Sequence, residues 1–502
     1  MPTVRIDLLD EVNCKITGLS KPHLDHFCSK YAILTEGYYF NPKYKLGSWD
    51  GKIRYFSAHG NTYVYLLEEI VPVIVDLGYG IDIEDHRVGH AGTPELITKD
   101  IFANVTPLDG SAPLELRDYQ VNIVNNLITA GNGVALAATG SGKTIMCAAL
   151  AVQYTSIGFK TLVVTPSQDL VGQTRDEFAN YGIATGEYSG DSKNYNSDNI
   201  VISTWQALQY NPTVIQGFQV VIVDEAHGLR GAVLTKIMNE YGSNIVHRFG
   251  VTGTLPKGKT DAMAVRIAVG AVRDTITAAE LIELGVLATI QITVKQFQQD
   301  FKSQYEQYLE LGEFDGEKPM TYAKFKNSYF PDYPSENNFL KKHDKTMEAV
   351  VHEITGLTAN TLVLVDGVAF GKKLASMIPN AVFVHGKDKK KARKVIYDTF
   401  ATHDDIKVIA TVGIMSTGLN IKRIFNMCLV DIGKSFTRVI QSIGRGLRKA
   451  VDKSHVNVYD LCSDLKYSKQ HLTERIHHYN EAQYPHTKIK IDLHNSIEGL
   501  EC

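Results

Sequence analysis

Ten short apolar runs, set in two series of five, restrict the folds open to this chain more than any other feature. VALAAT (134–139), TLVVTP (161–166), NIVIST (199–204), VVIVDEA (220–226) and FGVTGT (249–254) form the first series. TLVLVD (361–366), AVFVHG (381–386), KVIATV (407–412), MCLVDI (427–432) and VNVYDL (456–461) form the second. Each run is short, apolar and β-prone, and each is flanked by a segment long enough for a crossover helix. That pattern predicts strands buried on both faces of a parallel sheet, twice over. With 502 residues the chain exceeds what one core can organise, so two α/β domains in tandem fit its length.

The segments around the two series read differently. Residues 1–90 alternate β-like runs (VRIDLL, KIRYFS, YVYLLEEIVPVIVDL) with polar turns, which predicts a small α+β domain. The partition expected is 1–90 for that domain, 91–112 for a linker, 113–285 and 286–464 for the α/β domains, and 465–502 for a helical tail that turns polar. Residues 296–345 are polar, rich in Tyr and Phe, and show no clear period. They are expected to form an irregular connection with rings packed on the second domain, with a base-stacking wedge as the alternative.

Composition narrows the class. No apolar run is long enough to cross a membrane, and MPTVRIDLLDEVNCK lacks the apolar core of a signal peptide. Six scattered cysteines without a Cys-x-x-Cys pair indicate neither a disulfide framework nor a zinc site. A cytoplasmic protein without membrane contact is expected. The net charge of −3 does not advertise a nucleic-acid binder, yet phosphate binding needs a local basic surface and not a basic average. Two local surfaces qualify: KYKLGSWDGKIR (43–54), with Lys43, Lys45, Lys52 and Arg54, and KDKKKARK (387–394), which includes Lys389. In the first, Trp49 and Tyr44 add π-faces suited to bases, although a tryptophan in so small a domain can equally be core.

The chemistry is concentrated at the ends of the runs. ATGSGKT (138–144) joins a strand to a helix through a glycine-rich turn, the arrangement in which backbone N–H groups cradle phosphates. Thr139, Gly140, Ser141 and Gly142 form the turn. Lys143 is placed to neutralise the β and γ oxygens of a nucleotide, and the Thr144 hydroxyl to ligate Mg²⁺. Ala137 stands where the strict motif has glycine. VVIVDEAH ends a strand with two carboxylates: Asp224 suits Mg²⁺, and Glu225 suits taking a proton from attacking water. LRDYQ (116–120) lies ahead of the loop, with Arg117 and with Gln120 able to read an adenine edge. Hydrolysis of ATP with Mg²⁺ is therefore expected.

ATGSGKT, DEAH, TGT and QSIGRGLR, in this order over two α/β domains, resemble the motif set of superfamily 2 helicases and translocases across residues 113 to about 462. That resemblance implies two RecA-like domains with ATP between them and a nucleic-acid strand across the top. By position it implies that His227, Thr252 and Thr254 couple ATP to the strand, and that Gln441, Arg445 and Arg448 reach the nucleotide. It implies a motif V role for Gly418 and Asn420, with Asn420 standing where many relatives have Asp. It implies strand contacts by Pro166, Gln173, Thr204, Gln206, His385 and Lys389. The N-terminal stretch GYYFNPKYKLGSWDGKIRYF (37–56) is similar to the N-terminal domain of phage UvsW-type recombination helicases. Lys43, Trp49, Lys52 and Arg54 would then touch nucleic acid.

What the resemblance implies is an ATP-dependent DNA motor that branch-migrates junctions, regresses forks and unwinds RNA–DNA hybrids in a phage host's cytoplasm. Its partners would be branched or duplex DNA or an RNA–DNA hybrid, with recombination or single-strand-binding proteins as further candidates. It is expected to act as a monomer. The alternatives are an RNA helicase or RNP remodeller, the motor of a restriction-type complex, and a non-catalytic nucleotide switch. The last has no use for Lys143, Glu225, Arg445 and Arg448 together.

Overall fold

The computed structural model describes residues 2–88, 92–106, 114–190, 192–195, 198–312, 318–384, 402–412, 423–431, 433 and 455–493. They form two compact units, Met1–Ile276 and Thr277–Cys502. Gly418, Asn420, Gln441, Arg445, Arg448, His385 and Lys389 lie outside the described residues.

All ten apolar runs are strands. In the first unit an eight-stranded sheet runs, edge to edge, Lys193–Asn194, Gly186–Tyr188, Ile200–Thr204, Thr161–Thr165, Val220–Asp224, His247–Thr252, Asn132–Ala137, Val272–Ile276. Every pairing is parallel except the Lys193–Asn194 edge. Thr161–Thr165 and Ile200–Thr204 are buried along their whole length, as strands covered on both faces must be. In the second unit the order is Ala381–Val384, Lys407–Thr411, Thr361–Val365, Asn426–Val430, His455–Ser463, Thr289–Gln298, His486–Asp492, all parallel.

The N-terminal residues build their own sheet, in the order Asn61–Tyr63, Asn13–Thr17, Thr3–Leu8, Gly80–Asp85. Val4, Ile6 and Leu8 alternate inward with Cys14 and Ile16 of the neighbouring strand. YVYLLEEIVPVIVDL is not a strand for most of its length. Leu67–Asp76 is a helix, because Leu66, Ile70 and Ile74, four residues apart, all point into the core. Glu68 and Glu69 in its first turn favour the helix dipole.

This small domain is not a loose appendage. Ile267, and in part Met263, of the helix Lys259–Val269 belong to its core. Arg266 of the same helix pairs with Glu68 at 3.3 Å and Glu69 at 3.2 Å. The Tyr55 hydroxyl donates to the Thr260 carbonyl at 3.3 Å, and Glu11 N–H donates to Ser243 O at 2.9 Å. Cutting away residues 1–90 would strip apolar cover from a helix of the first α/β sheet. Beneath this junction the wholly buried Arg248 guanidinium donates to Ala268 O (2.6 Å), Gly242 O (2.9 Å) and Met238 O (2.7 Å). It fastens the Ile237–Tyr241 turn to the Lys259–Val269 helix.

Two features of the second unit depart from expectation. The aromatic stretch is helical, not irregular: Lys302–Leu311, Tyr322–Ser328 and Tyr333–Leu340 precede the amphipathic Asp344–Thr355. Its rings fill a small core of Phe301, Tyr322, Phe325, Phe330 and Phe339 against Leu340 and Leu465, so they pack rather than project as a base wedge. The tail is helical over Lys466–Glu481 and then adds the edge strand His486–Asp492 beside Thr289–Gln298. Its residues are mostly exposed, which is why their polarity hid a strand.

The Lys466–Glu481 helix is held by buried polar groups. Arg475 grips Asp460 through two bonds of 2.8 and 2.9 Å, and Tyr479 donates to the same carboxylate at 2.9 Å. Asp431, at the end of Asn426–Val430, is pushed up to about 6 by burial, with Arg475 opposing the shift. Its Oδ2 has no hydrogen-bond partner among the described residues.

Two stability measurements follow. Arg475→Met leaves Asp460 buried without its cation and should cost about 3–5 kcal/mol in urea denaturation. Asp431 gains a proton on folding between its unfolded value and about 6, so its ionised form opposes folding as pH rises through that window. Asp431→Asn should therefore gain roughly 2–3 kcal/mol over the native chain at pH 8. At pH 4 the gain should be near zero.

Candidate nucleotide site and strand groove

The nucleotide site forms where the strands of the first sheet end, the edge at which ligands of parallel α/β sheets bind. Asn132–Ala137 runs into the 138–142 turn and then the helix Lys143–Thr155. Gly140 and Gly142 take φ of 90° and 85°, values that side chains with a Cβ resist. At Gly142 space adds to strain, since a Cβ there would lie 2.4 Å from Gln120 Nε2. Thr139 and the buried Ser141 complete the turn, and Thr144 follows Lys143 in the first turn of the helix.

Gln120 braces this loop. Its side chain is buried; Nε2 donates to Ser141 O at 2.8 Å, and Oε1 accepts from Arg117 N–H at 2.9 Å. The Tyr119 hydroxyl donates to the same Ser141 carbonyl at 2.7 Å. LRDYQ therefore acts first on the loop's backbone, and Tyr119, within the motif but unassigned from sequence, carries as much of that work as Gln120. Arg117 is exposed at the start of the helix Asp118–Ala130.

Across from the loop, Val220–Asp224 ends in the carboxylate pair. Lys143 Nζ stands 3.6 Å from Glu225 Oε1. Glu225 Oε2 faces His227 Nδ1 at 3.3 Å and the Thr252 hydroxyl at 3.5 Å. His227 Nδ1 is 3.0 Å from Thr252 Oγ1, which donates to Thr254 O at 3.0 Å. Lys143, Glu225, His227, Thr252 and Thr254 are thus one connected set. Glu225 is held at φ 52°, the left-handed region, which is uncommon outside glycine and tends to mark functional positions. Burial, reinforced by Glu225, pushes the Asp224 carboxyl up to about 7, against the pull of Lys143.

The candidate strand contacts fall on neighbouring loops. Gln206 Nε2 donates to Pro166 O at 3.3 Å, and Thr204 Oγ1 caps its own helix by accepting from Ala207 N–H at 3.2 Å. Gln173 is paired along its own helix with Glu177 at 2.8 Å. Thr204 and Gln206 line a groove of about 470 Å³ with Ser167, Ser189, Lys193 and Tyr210. Tyr210 is 91% exposed. Neither Lys193 nor Tyr210 was marked by sequence reasoning, since each is an isolated residue without a motif. In the N-terminal domain Lys43 and Lys52 are exposed, while Arg54 is paired with Asp50 at 2.5 Å. Trp49 is half-buried outside the domain's core and donates its indole N–H to Lys52 O at 2.9 Å.

A phosphate loop faced by a DEAH carboxylate pair and a Thr-Gly-Thr turn, at the ends of a parallel sheet, defines a superfamily 2 helicase ATPase domain. Three family profiles match in succession: "DNA helicase UvsW, N-terminal" over 20–84, "Type III restriction enzyme, res subunit" over 113–257, and "Helicase conserved C-terminal domain" over 345–450. The chain is thus an ATP-dependent DNA helicase with two RecA-like domains, and its N-terminal residues are similar to those of UvsW helicases. It is 24% identical over 513 residues to the ATP-dependent DNA helicase uvsW of Enterobacteria phage T4, covering 92% of this chain and 94% of that one. A crystal structure of T4 UvsW aligns over 98% of this chain and all of that one, with 20% identity and a TM-score of 0.48. A fragment described as an HsdR subunit of a type I restriction enzyme from Vibrio vulnificus YJ016 shares the fold. There the TM-score is 0.54 and identity 17%, over 75% of this chain and 69% of that one.

Gly142→Ala should weaken binding of a fluorescent ATP analogue at least about tenfold with the fold intact, because it adds both a strained φ and a collision with Gln120. Unchanged affinity would mean that phosphates do not sit on this turn.

Proposed function

We propose that this helicase binds ATP at the 139–144 loop and spends its hydrolysis on remodelling branched DNA, by junction branch migration and fork regression, and on unwinding RNA–DNA hybrids. The observation that carries the reading is the connected set Lys143–Glu225–His227–Thr252–Thr254, in a unit that also holds, on the helix following that turn, an N-terminal domain with a basic loop at 43–54.

The residues suit a magnesium nucleotide. Two half-buried carboxylates lie beside a single ammonium, and a divalent cation held by Asp224 and Thr144 would supply the missing positive charge. When bound, the cation screens phosphate charge. Lys143 neutralises terminal phosphate oxygens, and the loop's N–H groups orient them. Glu225, with Oε1 toward Lys143 and Oε2 toward His227 and Thr252, takes the proton of attacking water. His227 and Thr252 relay occupancy of the site to Thr254. Gln441, Arg445, Arg448, Gly418 and Asn420 enter this proposal from their motifs alone, with Gln441 and the two arginines acting on the nucleotide. Pro166, Thr204, Gln206, Lys193 and Tyr210 hold one strand, and Gln173, His385 and Lys389 join them on sequence grounds. Lys43, Lys52 and Arg54, with Trp49 as a brace, hold the branch.

Glu225→Gln should keep ATP binding and lose DNA-stimulated turnover by about a hundredfold or more, the usual scale for removing a positioned base. Turnover of the native chain should be stimulated more by four-way junctions and forks than by equal lengths of single strand or blunt duplex, and also by RNA–DNA hybrid. Equal stimulation by all of these would refute the branched-substrate reading, and near-native turnover in Glu225→Gln would refute the hydrolytic assignment.

A further inference from the structure

Within the N-terminal domain, the short hairpin Ala32–Leu34/Lys52–Arg54 holds out a loop whose apolar side chains face solvent. Phe40 is 70% exposed and Leu46 81% exposed. They bracket a single helical turn, Pro42–Lys45, capped by the Asn41 side chain. The surrounding aromatics brace this tip from within. Tyr38 meets Tyr44 edge-on at 4.7 Å, and the Trp49 indole is tied to Lys52 O. Trp49, the stacking candidate by composition, is thus a brace, and the rings free to meet a base are those of Phe40 and its neighbour Tyr39, 4.4 Å apart.

The charges at this tip are available. None of the Lys43, Lys45 and Lys52 ammonium groups forms an ion pair among the described residues, and Asp50, the carboxylate beside Lys52, is already matched by Arg54. An exposed apolar tip flanked by ammonium groups outside any ion pair suits a ligand that presents a flat apolar face edged by phosphates. The terminal base pair of a duplex where its strands part has that chemistry, whereas an intact duplex covers its base faces by stacking.

The base of the loop is anchored on the motor. A methyl group on Gly258 would approach Glu36 Oε1 to 3.0 Å, so that carboxylate lies against the turn that starts the Lys259–Val269 helix. Tyr55, just past the hairpin, donates to Thr260 O. Both contacts fall a few residues beyond Thr252 and Thr254. We infer that Phe40 and Leu46 form a strand-separating wedge that stacks on the branch-point base pair while Lys43, Lys45 and Lys52 hold the flanking phosphates. The inference rests on the branched-substrate reading and adds to it the residues that part the strands.

The test uses the full-length chain with 2-aminopurine at the branch-point pair of a fork, since its fluorescence rises when a base unstacks. The native protein should raise that signal. The double substitution Phe40→Ala, Leu46→Ala, at exposed positions, should abolish the rise and slow fork unwinding about tenfold, on the scale of one lost base stack. ATPase stimulation by single-stranded DNA should stay within about twofold. Lys43→Ala, Lys45→Ala, Lys52→Ala together should weaken fork binding and lower its salt dependence, leaving the fluorescence rise intact at saturation. If the native chain prefers forks and the Phe40, Leu46 variant unwinds them with an undiminished rise, the wedge is overturned and the branched-substrate reading stands. If the substitution changes only sedimentation, abolishing self-association, the tip is a protein interface and the wedge is equally overturned. A native chain indifferent to forks would instead remove the reading on which the wedge rests.

Discussion

Two carboxylates at the end of one inner strand, with one ammonium facing them, set the terms for the first unit. Asp224 and Glu225 are adjacent in sequence, so the strand must end and the backbone must turn sharply for both to reach the same space. The left-handed conformation of Glu225 is that turn. Lys143 can stand opposite only because the phosphate loop is fixed in place, and the fixing is done from behind by Tyr119 and Gln120 on the Ser141 carbonyl. On the far side Thr252, at the end of the adjacent strand, receives His227. Remove the parallel register and none of these groups meet.

The Lys259–Val269 helix is the second organising element, because it belongs to two cores at once. One face covers the parallel sheet through Val265, Ala268 and Val269, and another gives Ile267 to the N-terminal domain. Arg248 pins the same helix from below to the turn that leads to Ser243, where Glu11 docks. The helix that follows the Thr252–Thr254 turn is therefore joined to the N-terminal domain by packed side chains and not by a flexible tether.

Much of this was legible in the sequence, and the failures have physical causes. Strands buried along nearly their whole length, such as VVIVD and TLVLV, are unambiguous because both faces are apolar, and all ten apolar runs are strands. Polarity conceals strands at an edge, and His486–Asp492, mostly exposed, has the composition of a polar tail. The Leu66–Ile74 segment misled in the opposite way, since its β-branched residues favour strands while its spacing of four places them on one helix face. The phosphate loop and the DEAH pair could be found because backbone geometry fixes their residue types. That Gln120 would be occupied with Ser141 and Arg117, that Trp49 would be tied to Lys52 O while Phe40 faces solvent, or that Glu36 would lie against Gly258 could not be. Each depends on side-chain packing between segments distant in sequence.

The second sheet carries a consequence for how the chain reaches its final form. Thr289–Gln298 is the first strand of that unit in sequence, yet its two neighbours are His455–Ser463 and His486–Asp492, much later in the chain. Ordering such non-local pairs is slow, because loop-closure entropy is paid before the pairing is rewarded. Until then the strand offers unpaired N–H and C=O groups along both edges, with Ile290, Ile292 and Val294 alternating on one face. A segment of that kind is a template for pairing with another copy of itself. During synthesis and refolding, the yield of active enzyme should thus be governed less by the ATP-binding unit than by how long Thr289–Gln298 waits for its partners.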